Sequence, residues 1–173
     1  GTAQHGTNVA VGVSDFEAQH ALVQKEGIDL IVVGPEQPLV DGVYDYFQEK
    51  GVAVIGPSQA AAELEGSKAY SKTFMQEFGI PTAAYGAFSE EQLEEAITFT
   101  RSQSLPVVVK ASGLAAGKGV LICESHEEAE QAIRDMLSSE RFGGAGSTVV
   151  VEEFLRGIEI SIFVLTDGKD YVI

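Results

Sequence analysis

Apolar positions along the chain fall into short β-branched runs separated by stretches of helical spacing, and glycine, proline or serine marks each change of period. Ser14 and Glu17 stand three apart, the spacing of a capping box, and predict a helix that stops at Gly27. Residues 28–33 form a mostly apolar run of strand length, suited to a buried parallel strand, which ends at Gly34-Pro35-Glu36. Val40, Val43, Tyr44 and Phe47 recur at i, i+3, i+4 and i+7 and predict an amphipathic helix ended by Gly51. A second short strand, 52–55, again runs into glycine and proline at Gly56-Pro57-Ser58. Two strands that both end in Gly-Pro point to one edge of a doubly wound sheet, where ligands sit outside the carboxyl ends.

Beyond this point the pattern changes. A helix over 59–65 leads to Gly66-Ser67-Lys68, where Ser67 caps a helix carrying Phe74, Met75 and Phe78 that Gly79-Ile80-Pro81 ends. Ser89 with Gln92 starts another helix, with Leu93, Ala96 and Ile97 on one face. Pro106 opens a strand over 107–110, a glycine-rich loop follows over 111–119, and 120–123 reads as its return strand. Ser125 with Glu128 makes a third capping box, before a stripe of Ala129, Ala132, Ile133, Met136 and Leu137. After a loop at Gly143-Gly144-Ala145-Gly146 come a strand at 149–152 and a hairpin built from 159–165, a turn at Asp167-Gly168 and the last residues. The pattern divides the chain into an α/β unit over 1–66 and the start of an α+β unit over 67–173. The chain opens on Gly1-Thr2-Ala3 and stops inside a strand-like run at Ile173, which reads as a piece of a longer polypeptide, truncated at both ends.

Composition narrows the partners. The 173 residues carry 11 Lys+Arg against 26 Asp+Glu, a formal net charge of −15. That balance argues against nucleic acid or an anionic membrane surface as partner, while leaving room for a small anion held by local cations. A single cysteine, Cys123, excludes an intrachain disulfide and a CxxC metal site and suits a reducing cytoplasm. No apolar run approaches the ~20 residues of a membrane span.

Three stretches offer chemistry. Lys110 followed by the run from Ala111 to Gly119 places two cations, Lys110 and Lys118, around a loop of small residues. Such a loop closes over a bulky anion, with lysine as a point charge for phosphate, or is an ordinary glycine-rich hairpin turn. It is not a Walker loop: the spacing from Gly113 to Gly117-Lys118 is one residue short and Gly119 stands where Ser or Thr is needed. Glu152-Glu153-Phe154-Leu155, with Glu159 beyond, is a strand end that accepts hydrogen bonds from an amino or hydroxyl group, or is a solvated acidic strand end. Gly34-Pro35-Glu36 and Gly56-Pro57-Ser58 are ligand-edge loops by the switch-point rule, or simple turns. His5, His20 and His126 have no metal or catalytic spacing, and Cys123 reads as a small core residue.

Taken in order, 34–40, 56–58, 64–68, 79–83, 109–120 and 152–155 resemble the phosphoribosylamine–glycine ligase (glycinamide ribonucleotide synthetase) family of the ATP-grasp superfamily, across essentially the whole chain. The run Gly-Leu-Ala-Ala-Gly-Lys-Gly-Val at 113–120 is the most specific part. Ser112 stands where many members have Asp and others Ser, and Ile158 where Glu is usual. The resemblance implies a parallel-sheet, pre-ATP-grasp unit followed by part of an ATP-grasp domain. It also implies ATP-dependent joining of glycine to 5-phosphoribosylamine in purine synthesis, in the cytoplasm, with ATP and Mg²⁺. It further implies that Lys68 and Lys110 hold ATP phosphates as catalytic groups and that Ser112, Gly113, Gly117, Lys118 and Gly119 close over them. By the same resemblance, Glu152, Glu153, Phe154 and Leu155 would line the adenine pocket, Glu159 would take the ribose hydroxyls, and Gly34, Pro35 and Glu36 would lie at the phosphoribosylamine end. The family's metal ligands are expected beyond Ile173, and these 173 residues alone are expected to be inactive. Another ATP-grasp carboxylate–amine ligase, a non-catalytic nucleotide-binding module and a purely structural domain are the rival readings.

Overall fold

The computed structural model describes residues 1–115, 119–138 and 147–173. Its first part runs α1 (Phe16–Glu26), β1 (Leu30–Val32), α2 (Glu36–Val40), α3 (Val43–Gln48), β2 (Ala53–Ile55) and α4 (Gln59–Gly66). The pair β1 and β2 is parallel, with Leu30 opposite Ala53 and Val32 opposite Ile55, so both Gly-Pro turns do leave the same edge. Three expectations need correction. Asp15, not Ser14, caps α1 by accepting from the Ala18 amide, while the Ser14 hydroxyl donates to Asp41. The stripe from Val40 to Phe47 does not lie on one helix, because Gly42 takes a left-handed φ of 93° that separates α2 from α3. Glu36, expected in a turn, begins α2. The third of these follows from proline: Pro35 is extended and ready to precede a first helical turn.

Among the described residues, the expected buried strand is covered on one face only. Ile31, Val33, Val52 and Val54 pack against Val23, Val43 and Phe47, whereas Leu30 and Val32 are 48% and 68% exposed. A parallel strand is buried on both faces only where helices cover both; among the described residues β1 has β2 for its sole partner strand.

The second part contains α5 (Lys68–Glu77), β3 (Tyr85–Ser89), α6 (Leu93–Ser102), β4 (Val107–Ala111), β5 (Val120–Cys123), α7 (His126–Ser138) and β6 (Thr148–Glu153). The strands form an antiparallel sheet of order β3-β6-β4-β5. Strand β3 was not anticipated: Gly86 and Ala87 interrupt the β-branched pattern, and the segment is held by pairing with β6. The stripe on α7 is as expected, with Ala129, Ala132, Ile133, Met136 and Leu137 all buried. They pack on Val107, Val109, Ala111, Val149 and Val151, the alternate residues of the two central strands. Ser67 caps α5 through the Tyr70 amide and Ser89 with Gln92 forms the full box, but the third box is half made. Ser125 accepts from the Glu128 amide, while Glu128 accepts from the Glu124 amide instead of that of Ser125.

At the carboxyl end the hairpin is shorter than expected. Only β7 (Leu165–Thr166) and β8 (Tyr171–Val172) pair, around Asp167, whose carboxylate accepts from the Lys169 and Asp170 amides. Residues 159–164, expected as strand, form none and are exposed. The loop 143–146 lies outside the described residues.

Candidate functional site

The face of the antiparallel sheet away from α7 carries the charged residues. Period-two alternation puts Val108, Lys110, Val150 and Glu152 on it, and the register sets Val108 opposite Glu152 and Lys110 opposite Val150. Lys110 and Glu152 are therefore diagonal neighbours, and the Lys110 ammonium donates to Glu152 Oε2 at 2.9 Å. From across the cleft α5 adds Lys72, whose Nζ lies 3.1 Å from the same oxygen. Glu152 and Lys72 are both buried. Glu152 Oε1, by contrast, is a buried oxygen without a hydrogen-bond partner among the described residues. An orphaned carboxylate oxygen inside a protein is costly, and it is shaped to accept from a donor that arrives with a ligand.

Lys68, at the first position of α5, faces the same cleft. Its Nζ donates to the Gly113 carbonyl at 3.1 Å, and burial, the largest influence, holds its pKa below the usual 10.5, with Lys110 adding repulsion and Glu65 and Glu152 acting the other way. Leu64, Glu65, Lys68, Ser71, Lys72, Met75, Lys110 and Glu152 together enclose a cleft of about 310 Å³. That is the lower end of the range for small-molecule sites. Three ammonium groups thus meet two carboxylates here, a local cationic excess in a chain of net charge −15.

Ser112 ties the loop to the helix. Its hydroxyl accepts from the Ala69 amide, its carbonyl accepts from the Lys68 amide, and its own amide donates to the Thr148 carbonyl. The start of α5, the end of β4 and the start of β6 are thereby pinned at one point. Gly119 is buried at the return of the loop, where a Cβ would come within 2.7 Å of Ala115 Cβ and 3.2 Å of Ala111 Cβ. Only glycine lets the two sides of the loop approach this closely.

The sequence-derived residues separate into groups. Lys68, Lys110, Ser112, Gly113 and Glu152 converge on the cleft. Glu153 points elsewhere, accepting from the Ala84 amide, Phe154 is half-buried, and Leu155 and Glu159 are exposed. Gly117 and Lys118 lie outside the described residues. Gly34 and Pro35 border a separate pocket of about 140 Å³ with Val13, Gln19, Ile31 and Pro38, and exposed Glu36 stands beside it. Sequence reasoning missed Lys72. Its signal was the spacing of four from Lys68, which puts both lysines on one face of a capped helix.

This architecture, an antiparallel sheet with a lysine-lined cleft and a glycine-rich loop behind a parallel α/β unit, is that of the ATP-grasp class. The phosphoribosylglycinamide synthetase N domain matches residues 1–65 and the ATP-grasp (A) domain of the same synthetase matches 66–173; the chain belongs to that family. The phosphoribosylamine–glycine ligase of Vibrio cholerae is 52% identical over 163 residues, covering 94% of this chain and 38% of its own length. That of Escherichia coli is 50% identical over 162 residues, with 94% and 37% covered. Among solved structures, the Thermotoga maritima phosphoribosylamine–glycine ligase superposes with a TM-score of 0.77 at 34% identity, over 99% of this chain and 40% of that one. The biotin carboxylase domain of the Hydrogenobacter thermophilus 2-oxoglutarate carboxylase, solved with MgADP, matches at TM-score 0.65 and 26% identity, over 86% and 34%. The chain thus spans well under half the length of these relatives.

Proposed function

We propose that this chain provides the nucleotide clamp and the substrate-side unit of an ATP-dependent carbon–nitrogen ligase of purine biosynthesis, which joins glycine to 5-phosphoribosylamine to give glycinamide ribonucleotide, ADP and phosphate. The observation that carries the reading is Glu152: a buried carboxylate with one oxygen shared by two lysines and the other waiting for a donor. An adenine nucleotide answers both features, with an exocyclic amine for the free oxygen and phosphates for the lysines. The relatives named as phosphoribosylamine–glycine ligases, at 50–52% identity, supply the acceptor chemistry.

In this reading residues 1–66 form the substrate-side unit, with Gly34, Pro35 and Glu36 toward phosphoribosylamine, and 67–173 the first part of the nucleotide-binding domain. Lys68 and Lys110 hold phosphates and stabilise the charge that develops on transfer. Ser112, Gly113, Gly117, Lys118 and Gly119 form the covering loop, which keeps water from the activated carboxyl group. The Glu152 carboxylate and the backbone through Leu155 take the base, the Glu153 side chain being held on the Ala84 amide, and Glu159 takes the ribose. ATP supplies the phosphoryl group that makes the glycine carboxylate reactive toward an amine. No cluster of three or more His, Cys, Asp or Glu suited to a metal occurs among the described residues, so Mg²⁺ is given no ligand here. No described helix is long and apolar enough to cross a membrane; the small-molecule substrates and the cytoplasmic location belong to the proposed reading.

The test is ADP release by a full-length form in which these 173 residues replace the matching stretch of the Vibrio cholerae relative. ATP and Mg²⁺ are supplied, with glycine and phosphoribosylamine added singly and together. Turnover only with both supports the ligase. Turnover with another amine and carboxylate points to a different ATP-grasp ligase, and ATP binding without turnover to a binding module.

A further inference from the structure

Lys72 and Lys110 share one oxygen of Glu152, yet the two lysines are held very differently. The Lys72 side chain is 9% exposed and that of Lys110 26%. Lys72 Nζ also donates to Thr82 Oγ1 at 2.7 Å and reaches the Ala83 carbonyl at 3.5 Å, so its three N–H groups are all directed at protein. The Tyr85 ring lies 5.6 Å from the same nitrogen. Lys110 has Glu152 alone as partner among the described residues, and it lines the cleft as the more exposed of the two.

The difference matters when an anion enters. A phosphate that draws Lys110 away would strand a buried carboxylate if Lys110 were its only counter-ion, and stranding a buried charge is strongly unfavourable. With Lys72 fixed in place the carboxylate remains paired. We propose that Lys72 is a positioning residue, the permanent counter-ion of Glu152, whose presence releases Lys110 to bind the phosphates of a nucleotide. The proposal rests on the nucleotide reading above. It assigns Lys72 no contact with phosphate itself.

Equilibrium binding of ATP and of adenosine to the full-length form described above, measured by calorimetry, separates the possibilities. Lys72→Met should weaken ATP by about tenfold or more while moving adenosine by less than about threefold, because only the phosphate-bearing ligand needs Lys110 released. Combining Lys72→Met with Glu152→Gln removes the charge that retains Lys110, and should return ATP affinity to that of Glu152→Gln alone. Lys72→Arg, which keeps the charge, should keep the preference for ATP over adenosine, and with the double variant it carries the test if Lys72→Met fails to fold. Equal losses for ATP and adenosine, or no recovery in the double variant, would overturn the proposal and leave the nucleotide reading standing. If the unaltered full-length form binds neither ligand, the nucleotide reading fails and this proposal with it.

Discussion

Strands β1 and β4 are both short, mostly apolar runs, yet among the described residues one is half bare and the other is almost wholly enclosed. Leu30 and Val32 of β1 are exposed, while Val107 and Val109 of β4 are fully buried. The difference comes from neighbours. Strand β4 lies between β5 and β6 and beneath α7, whereas β1 has β2 alone among the described residues. Residue type sets the tendency to form a strand, but burial depends on what covers each face. The same contrast divides the charges. Glu152 sits under α5 and holds two lysines, while Arg101, largely exposed, pairs with half-buried Glu130 at 2.6 Å.

The largest expected effects fall on the enclosed side. Glu152→Ala leaves buried Lys72 without a counter-ion and should cost about 3–5 kcal/mol, read as a shift in the urea midpoint. Arg101→Ala, which breaks the exposed pair, should change the same midpoint far less. Ile133→Ala opens a cavity beneath the antiparallel sheet and should cost about 2–5 kcal/mol, against less than about 1 kcal/mol for Leu30→Ala on the bare face of β1. Equal costs would show that the two sheets are covered alike in solution.

A smaller effect concerns Lys68. Its pKa is lowered by burial from 10.5, so the protonated form is disfavoured in the folded chain. The resulting penalty is full at neutral pH and is relieved as pH rises through the folded value toward 10.5. Lys68→Met should therefore flatten the rise in stability over that interval, as read by urea midpoints at increasing pH. The least perturbation is at Cys123, fully buried on β5, where burial pushes the thiol up to about 11. At neutral pH it stays protonated, and alkylation by iodoacetamide should be far slower in the folded chain than in urea.

Much of the second part was legible because local rules agreed. Ser67 with its helix and the α7 stripe follow from capping and from a 3.6-residue period that tertiary contacts left intact. The glycine-rich loop was recognisable by composition, and Lys110 by its place at the end of a strand. Less was legible where one residue's conformation overrode a pattern, as at Gly42, or where pairing held a weak strand, as at β3. Lys72 was missed since a lysine on a helix normally reads as solvent-facing. Its burial depends on Glu152, eighty residues later, arriving from β6.

Period, caps and glycine loops, all short-range properties, determined from the sequence alone where most helices and strands lie and which family the chain resembles. Register and burial belonged to the tertiary structure. Pairing β4 with β6 set Lys110 and Glu152 on one face, and packing α5 over that face brought Lys72 to the same oxygen. No local pattern encodes that meeting, because a charge acquires its partner and its burial only when distant segments close over it.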